Sequence, residues 1–310
     1  MLPVFESSLP IFLLILAGVA LRRLPITNDA GWNGVEQIAY WFLYPVLVFV
    51  TILNADFSGL ALDAMLLTLV LGVAIMAALT LGLWPMLRNS GTVAASEFSS
   101  VFQTALRWNG FMALAIAQSL FPPEAAAVVA LAMAAIILPI NIICVMVITR
   151  FADRAAGLKS VVYRLATNPL ILASAAALVL RWTEGLYGPV NQALQLVGSA
   201  ALGMGLIAIG AGLRVGDLAS LRLAVWLPVV LKLAVFPALV IGIALALGLS
   251  GAELQYLALC AAVPTAMNGY LLARQLGGDA ELYAVVTTTQ TALAFFTIPL
   301  VLVLAAQFSG

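Results

Sequence analysis

The chain has 310 residues, of which 64% are hydrophobic and only 8% are charged, and its formal net charge is zero. A soluble domain carries about 25% charged residues, so this composition excludes a soluble globular protein and offers no basic surface for nucleic acid. The sequence contains no histidine, which excludes a histidine metal site, a histidine proton relay and Ser-His or Cys-His catalysis. We therefore expect an integral membrane protein that is not an enzyme and has no cofactor or metal.

Apolar runs of about 20 residues are long enough to cross the hydrocarbon core of a bilayer as helices. The hydropathy pattern predicts ten such helices, all in one transmembrane domain. In chain order they are residues 3–22, 33–54, 60–87, 98–120, 125–149, 168–183, 192–213, 222–248, 253–275 and 281–306. The first run ends at Arg22-Arg23 without a small-x-small cleavage site, so we interpret it as a retained helix.

Basic residues predict how the chain is oriented. Of the thirteen Lys and Arg residues, ten fall in the loops after helices 1, 3, 5, 7 and 9, whereas Arg181 alone falls on the opposite side. Because cytoplasmic loops carry the excess of Lys and Arg, the first side is predicted to be cytoplasmic. Both termini are then extracytoplasmic, in a multi-pass protein of the cell (inner) membrane.

Three features of the first half recur in the second half at nearly the same separation. They are Arg22 with Arg181, Asn109-Gly110-Phe111 with Asn268-Gly269-Tyr270, and Leu138-Pro139-Ile140 with Ile298-Pro299-Leu300. Because each half holds five helices, the second copy enters the membrane from the opposite side, which is the inverted repeat of many secondary transporters. The predicted parts are repeat one at 1–150, a cytoplasmic linker at 151–167 and repeat two at 168–310.

The two Asn-Gly pairs lie in the middle of apolar helices 4 and 9. Glycine and asparagine both weaken a helix, so each pair predicts an interruption near mid-depth. The helix that restarts after an interruption has a free N-terminus, with unpaired N–H groups and a partial positive charge of about +0.5. Two such ends that meet would favour an anion, most naturally a carboxylate. A kink without a ligand is the alternative interpretation.

The predicted substrate contacts are therefore centred on the two interruptions. They are Asn109, Asn268, Gly110, Gly269, Arg107, Pro264, Thr265 and Tyr44. The predicted supporting residues are Lys232, Asn141, Gln103 and Gln290. The interpretation of Arg107 is open, because it either holds substrate charge or pairs with a polar neighbour.

Lys232 also has two interpretations. It either extends to the cytoplasmic surface or stays buried and bonds the unwound backbone, so that its charge replaces a coupling cation. By contrast, all thirteen carboxylates lie at or near predicted helix ends. A buried carboxylate pair for proton or sodium exchange is therefore missing.

Several strings occur in this order along the whole chain. They are Phe42-Leu43-Tyr44-Pro45-Val46-Leu47-Val48-Phe49, Arg107-Trp108-Asn109-Gly110-Phe111, Leu138-Pro139-Ile140-Asn141, Lys232 to Pro237, Pro264 to Tyr270, and Gly277-Gly278-Asp279. Their order and spacing resemble the auxin efflux carrier family in its short bacterial form. The long cytoplasmic loop of the plant members is replaced here by the short linker.

This resemblance implies an all-α fold with a five-plus-five inverted repeat, similar to sodium–proton antiporters and bile-acid symporters. It implies a scaffold part from helices 1, 2, 6 and 7, and a transport part from helices 3–5 and 8–10 in which broken helices 4 and 9 cross. The implied substrates are auxin or small organic anions such as malate and malonate, moved by an elevator-like motion, often by a homodimer. Any coupling ion would be a proton or sodium. The alternatives are a cation-coupled exchanger of the same fold, a membrane sensor or a channel.

Overall fold

A computed structural model describes residues 2–25, 28–151, 167–182, 186–213, 222–267 and 269–308. Over these residues the regular structure is helical, without strands. We number the helices α1 Leu2–Arg23, α2 Asp29–Leu53, α3 Leu62–Asn89, α4a Ala95–Leu106, α4b Gly110–Leu120, α5 Pro123–Phe151, α6 Pro169–Leu180, α7 Gly188–Gly212, α8 Leu223–Ala246, α9a Gly251–Ala262, α9b Gly269–Leu276 and α10 Ala280–Gln307. The predicted linker lies almost entirely outside the described residues.

Six helices of the described residues are long and apolar enough to cross a membrane, namely α2, α3, α5, α7, α8 and α10. The predicted all-helical membrane protein is thereby confirmed, whereas the count of ten transmembrane helices and the inverted repeat stay predictions. The fourth and ninth segments fall short as single helices because each is divided into two pieces of 8 to 12 residues.

Two of the long helices contain a π turn ahead of a proline. The turns are Ala39–Leu43 in α2, before Pro45, and Leu231–Val235 in α8, before Pro237. Proline has no N–H and its ring clashes with the carbonyl four residues earlier, and the wider turn, bonded to the fifth residue back, accommodates it. In α2 this π turn lies directly before Tyr44-Pro45.

The helices pack in two groups. One contains α1, α2, α6 and α7, and the other contains α3, α5, α8, α10 and the interrupted helices. Within the first group α1 and α7 approach so closely that a Cβ on Gly210 would clash with the carbonyl oxygen of Ile15. Gly203, on the same helix, has open space beside it. The glycines of α7 are therefore not equivalent, since Gly210 lies in a close helix contact and Gly203 does not.

We expect Gly210→Ala to lower the thermal stability of the purified protein, because the new methyl group must push α1 away from α7. Overpacking of this kind costs about 1–3 kcal/mol. Gly203→Ala is the matched control, and its melting temperature in detergent should stay the same or rise slightly because alanine favours a helix. Equal melting temperatures for both variants would contradict the close contact.

Candidate functional site

The interruptions of the fourth and ninth segments contact each other directly. The backbone N–H of Asn109 donates to the carbonyl oxygen of Pro264 at 2.7 Å. Arg107, at the end of α4a, and Val263, at the end of α9a, both have extended backbone, with ψ of 152° and 147°. The two unwound segments therefore lie side by side in the interior.

The carbonyl end of α4a is satisfied by side chains from other helices. The oxygen of Thr104 accepts from Thr265 Oγ1 at 2.6 Å and from Gln290 Nε2 at 3.0 Å. Thr265 Oγ1 also lies 3.1 Å from the carbonyl oxygen of Arg107. Since bilayer interiors offer no water, such partners are required wherever a helix ends there. The hydroxyl of Thr265, predicted as a substrate contact, is thus occupied by backbone carbonyls.

Gln290 on α10 connects three other segments. Its Oε1 accepts from the N–H of Thr265 at 2.9 Å, and its Nε2 donates to the carbonyl of Pro228 on α8 at 3.0 Å as well as to Thr104. The side chain is completely buried. Gln290 therefore holds α4a, α8 and the α9 interruption in one arrangement.

The N-terminus of α4b begins directly at the junction. Asn109 is 2% exposed, and its Oδ1 accepts the N–H of Met112 at 3.1 Å as a helix cap. Its Nδ2 makes no hydrogen bond to the described residues, and the first-turn N–H groups of Gly110 and Phe111 have no intrahelical acceptor. A Cβ on Gly110 would lie 2.7 Å from Met133 Cγ. The helix end is therefore only partly open, through the Asn109 amide nitrogen and two backbone donors.

The start of α9b is closed by Tyr283, a residue that sequence reasoning missed. Its hydroxyl donates to the carbonyl of Ala266 at 2.5 Å and lies against the N–H of Gly269. A Cβ on Gly269 would clash with this hydroxyl. The sequence does contain one indication of this role, because Tyr283 lies one turn before the threonine-rich residues 287–291 of helix 10. Asn268 lies outside the described residues, so its predicted role stays a prediction.

Arg107 is 7% exposed and donates from one guanidinium nitrogen to Asn141 Oδ1 at 2.9 Å. Its Nε has no partner within the described ranges. The ion pairs there are Arg22–Asp29 and Arg222–Glu97, so no described carboxylate neutralises Arg107. A guanidinium has five N–H donors, and the contacts with Asn141 and with the Cys144 thiol use two of them. Asn141 is thus the polar neighbour that one interpretation of Arg107 required, and the guanidinium still has N–H groups, among them Nε–H, that no described residue accepts.

Lys232 lies in the π turn of α8 and is completely buried. Of the two interpretations of Lys232, burial therefore holds, and extension to the cytoplasmic surface does not. Its Nζ has no hydrogen-bond acceptor among the described residues, so the predicted bond to the unwound backbone is not present there. The ring of Phe236 faces it, with its centroid 4.2 Å from Nζ.

Two further predicted residues have contrasting surroundings. Gln103 is completely buried, and neither its Oε1 nor its Nε2 has a hydrogen-bond partner in the described part of the chain. Tyr44 is also buried, and its ring stacks on Phe111 of α4b with centroids 3.4 Å apart. Its hydroxyl lies against Gly205 on α7. Tyr44 therefore connects the first packing group to the start of α4b.

Comparison with known families adds to this geometry. A sequence profile described as membrane transport protein matches residues 156–302, which supports a membrane transporter. The match confirms the resemblance to the auxin efflux carrier family that the motifs indicate. A search of curated proteins found no match.

We expect Gln290→Met to destabilise the protein by about 2–5 kcal/mol, because it leaves buried backbone groups of three segments without partners, each costing about 1–3 kcal/mol. Thr291→Val is the matched control, since the Thr291 hydroxyl bonds only the carbonyl of Thr287 in its own helix. Chemical or thermal unfolding in detergent would compare the two. Similar unfolding of both variants would show that Gln290 does not hold the junction together.

Proposed function

We propose that the protein is a secondary carrier of small organic anions, whose carboxylate binds where the α4 and α9 interruptions meet. One observation carries this proposal. The Nδ2 of Asn109, the first N–H groups of α4b and the guanidinium of Arg107 lie within one short buried segment, and no described carboxylate pairs with that guanidinium. Such a segment is poor in negative charge and rich in donors.

The chemistry of these groups suits a ligand that only accepts hydrogen bonds. A helix N-terminus stabilises negative charge through its N–H groups and its dipole, and a guanidinium binds a carboxylate through charge-assisted bonds. Auxin-like acids and mono- or dicarboxylates such as malate and malonate have this chemistry, and the resemblance to the family supports them as substrates. Asn268 would contribute the second amide from the other interruption.

The packing of the helices supports a mode of transport. We propose that α1, α2, α6 and α7 form a scaffold, against which the remaining helices move as an elevator within a ten-helix inverted repeat. The Tyr44–Phe111 stack lies between the two groups and would have to slide or break during this movement. The remaining proposals are an inner-membrane location with both termini outside and a homodimer formed through the scaffold. No observation favours the exchanger, sensor or channel alternatives.

We expect Asn109→Asp to fold but to lose anion transport. The aspartate oxygen still caps Met112, whereas the Nδ2 donor is replaced by a negative charge that repels a carboxylate, for a loss of at least about tenfold in affinity. Asn191→Asp, at a half-buried asparagine that bonds Asn54, is the control. Uptake of labelled malate, malonate and auxin into proteoliposomes is the measurement. Uptake by Asn109→Asp at the rate of the control would contradict the site.

We expect Arg107→Gln to weaken anion binding by about 10- to 100-fold, the equivalent of one hydrogen bond to a charged group, while the melting temperature changes little. The glutamine amide still offers Asn141 a donor, but it carries no charge. Arg22→Gln, which removes an exposed arginine paired with Asp29, is the control for charge alone. A large loss of stability with unchanged affinity in Arg107→Gln would show that Arg107 is purely structural.

A further inference from the structure

On the basis of the function proposed above, we propose that Lys232 is the group that couples anion transport to protons: its side chain takes up a proton when a carboxylate binds at the interruptions and releases it when the carboxylate leaves. The carrier would then be an anion–proton symporter. The resemblance to the family and the site at the interruptions leave the identity of the coupling ion open, whereas the role proposed for Lys232 makes it a proton.

The surroundings of Lys232 carry the first step. Its side chain is 0% exposed, and its Nζ has no acceptor among the described residues. The Phe236 ring at 4.2 Å provides a cation–π contact, but this is not a counter-charge. A buried ammonium without acceptor or counter-ion is strongly disfavoured relative to a neutral amine. In the empty carrier these surroundings therefore favour the neutral amine over the ammonium.

The position of Lys232 carries the second step. Gln290 Nε2 bonds both the carbonyl of Thr104, at the α4 interruption, and that of Pro228, one turn before Lys232 on α8. On the other side Lys232 lies near Cys260, which is in the last turn of α9a, directly before the second interruption. Lys232 is thus adjacent to both unwound segments, where a bound carboxylate would act on it through a medium of low dielectric constant.

Other ionisable groups on the packed helices do not replace Lys232. The π turn packs against α4a, α9a and α10. From α9a the Cys260 thiol faces Lys232, whereas Glu253 bonds the N–H of Ala61 and Tyr256 contacts Phe121 at the other end of that helix. From α4a, Glu97 pairs with Arg222. From α10, Glu281 is exposed and Tyr283 donates to the carbonyl of Ala266.

Arg107 cannot take this role, because a guanidinium stays protonated throughout. Within the described parts of α4a, α8, α9a and α10, Lys232 is therefore the buried base that is able to gain and lose a proton. A lysine side chain in water is an ammonium, and burial allows it to lose its proton.

Thermodynamic linkage gives the direction of the coupling. A carboxylate at the interruptions stabilises the ammonium form, and by reciprocity the ammonium form raises the affinity for the carboxylate. The step balances as one proton from solvent added to the lone pair of Nζ, with no other bond made or broken. Anion affinity of the wild type should consequently rise as pH falls from 8 to 7, a range in which both carboxyl groups of the malate and malonate probes stay almost fully ionised.

The test is proton uptake during anion transport by the full chain in proteoliposomes, with malate and malonate as probes and a pH-sensitive dye inside. The wild type should move about one proton per anion. Lys232→Met should lose proton movement even where anion transport remains, and Lys232→Arg should bind anions with an affinity that does not change with pH. Melting temperatures establish that each variant is folded.

The outcomes separate the two proposals. Anion transport by the wild type without proton movement would overturn the coupling role alone, as would an unchanged proton-to-anion ratio in Lys232→Met. If Lys232→Met does not fold, two other measurements decide: the proton-to-anion ratio of the wild type and the pH profile of anion affinity in Lys232→Arg. A wild-type-like profile in Lys232→Arg would show that a group other than Lys232 takes up the proton, which would overturn the coupling role. Failure of the wild type to transport any carboxylate would overturn the proposed function and the coupling with it.

Discussion

A helix that stops inside a bilayer leaves backbone carbonyl and N–H groups where no water can bond them, and the arrangement of this protein follows from how those groups are satisfied. Thr265 and Gln290 bond the carbonyl end of α4a, Asn109 caps α4b, and Tyr283 closes the start of α9b. Each partner comes from the opposite interruption, from α10 or, for Asn109, from the residue directly before the helix that it caps. The two interruptions therefore form one unit, and the donors that remain are concentrated at the start of α4b.

Buried charge is the second consequence of this arrangement. Arg107 and Lys232 are both removed from solvent, and no described carboxylate forms an ion pair with either. Charges inside a membrane protein are costly and usually mark a pathway for a substrate or a proton. The two cations differ in kind, because Arg107 keeps its charge whereas Lys232 is able to lose it. A binding role for the first and a coupling role for the second use this difference.

The positions of the interruptions could be predicted from the sequence because Asn-Gly and Pro264 weaken a helix locally, whatever surrounds them. The all-helical membrane fold could likewise be predicted, because it follows from the low charge and the long apolar runs of the sequence. The partners of the broken ends could not be predicted, since Gln290 and Tyr283 reach them from distant parts of the chain. Thr265 illustrates the limit: its residue type suited a substrate contact, but its hydroxyl bonds carbonyls that only the folded chain brings near. Likewise, the sequence left two interpretations of Lys232 open, because its burial depends on the packing of α8 against distant helices.

The central claim is that a carboxylate binds at the start of α4b, beside the second interruption. The most direct measurement is an experimental structure of the protein with a bromine-substituted small carboxylate, located by the anomalous signal of bromine. We predict that the carboxylate lies within hydrogen-bond distance of Asn109 Nδ2 and the N–H of Gly110. A carboxylate located elsewhere in the protein, or an unoccupied junction at a saturating concentration of a transported acid, would contradict the account.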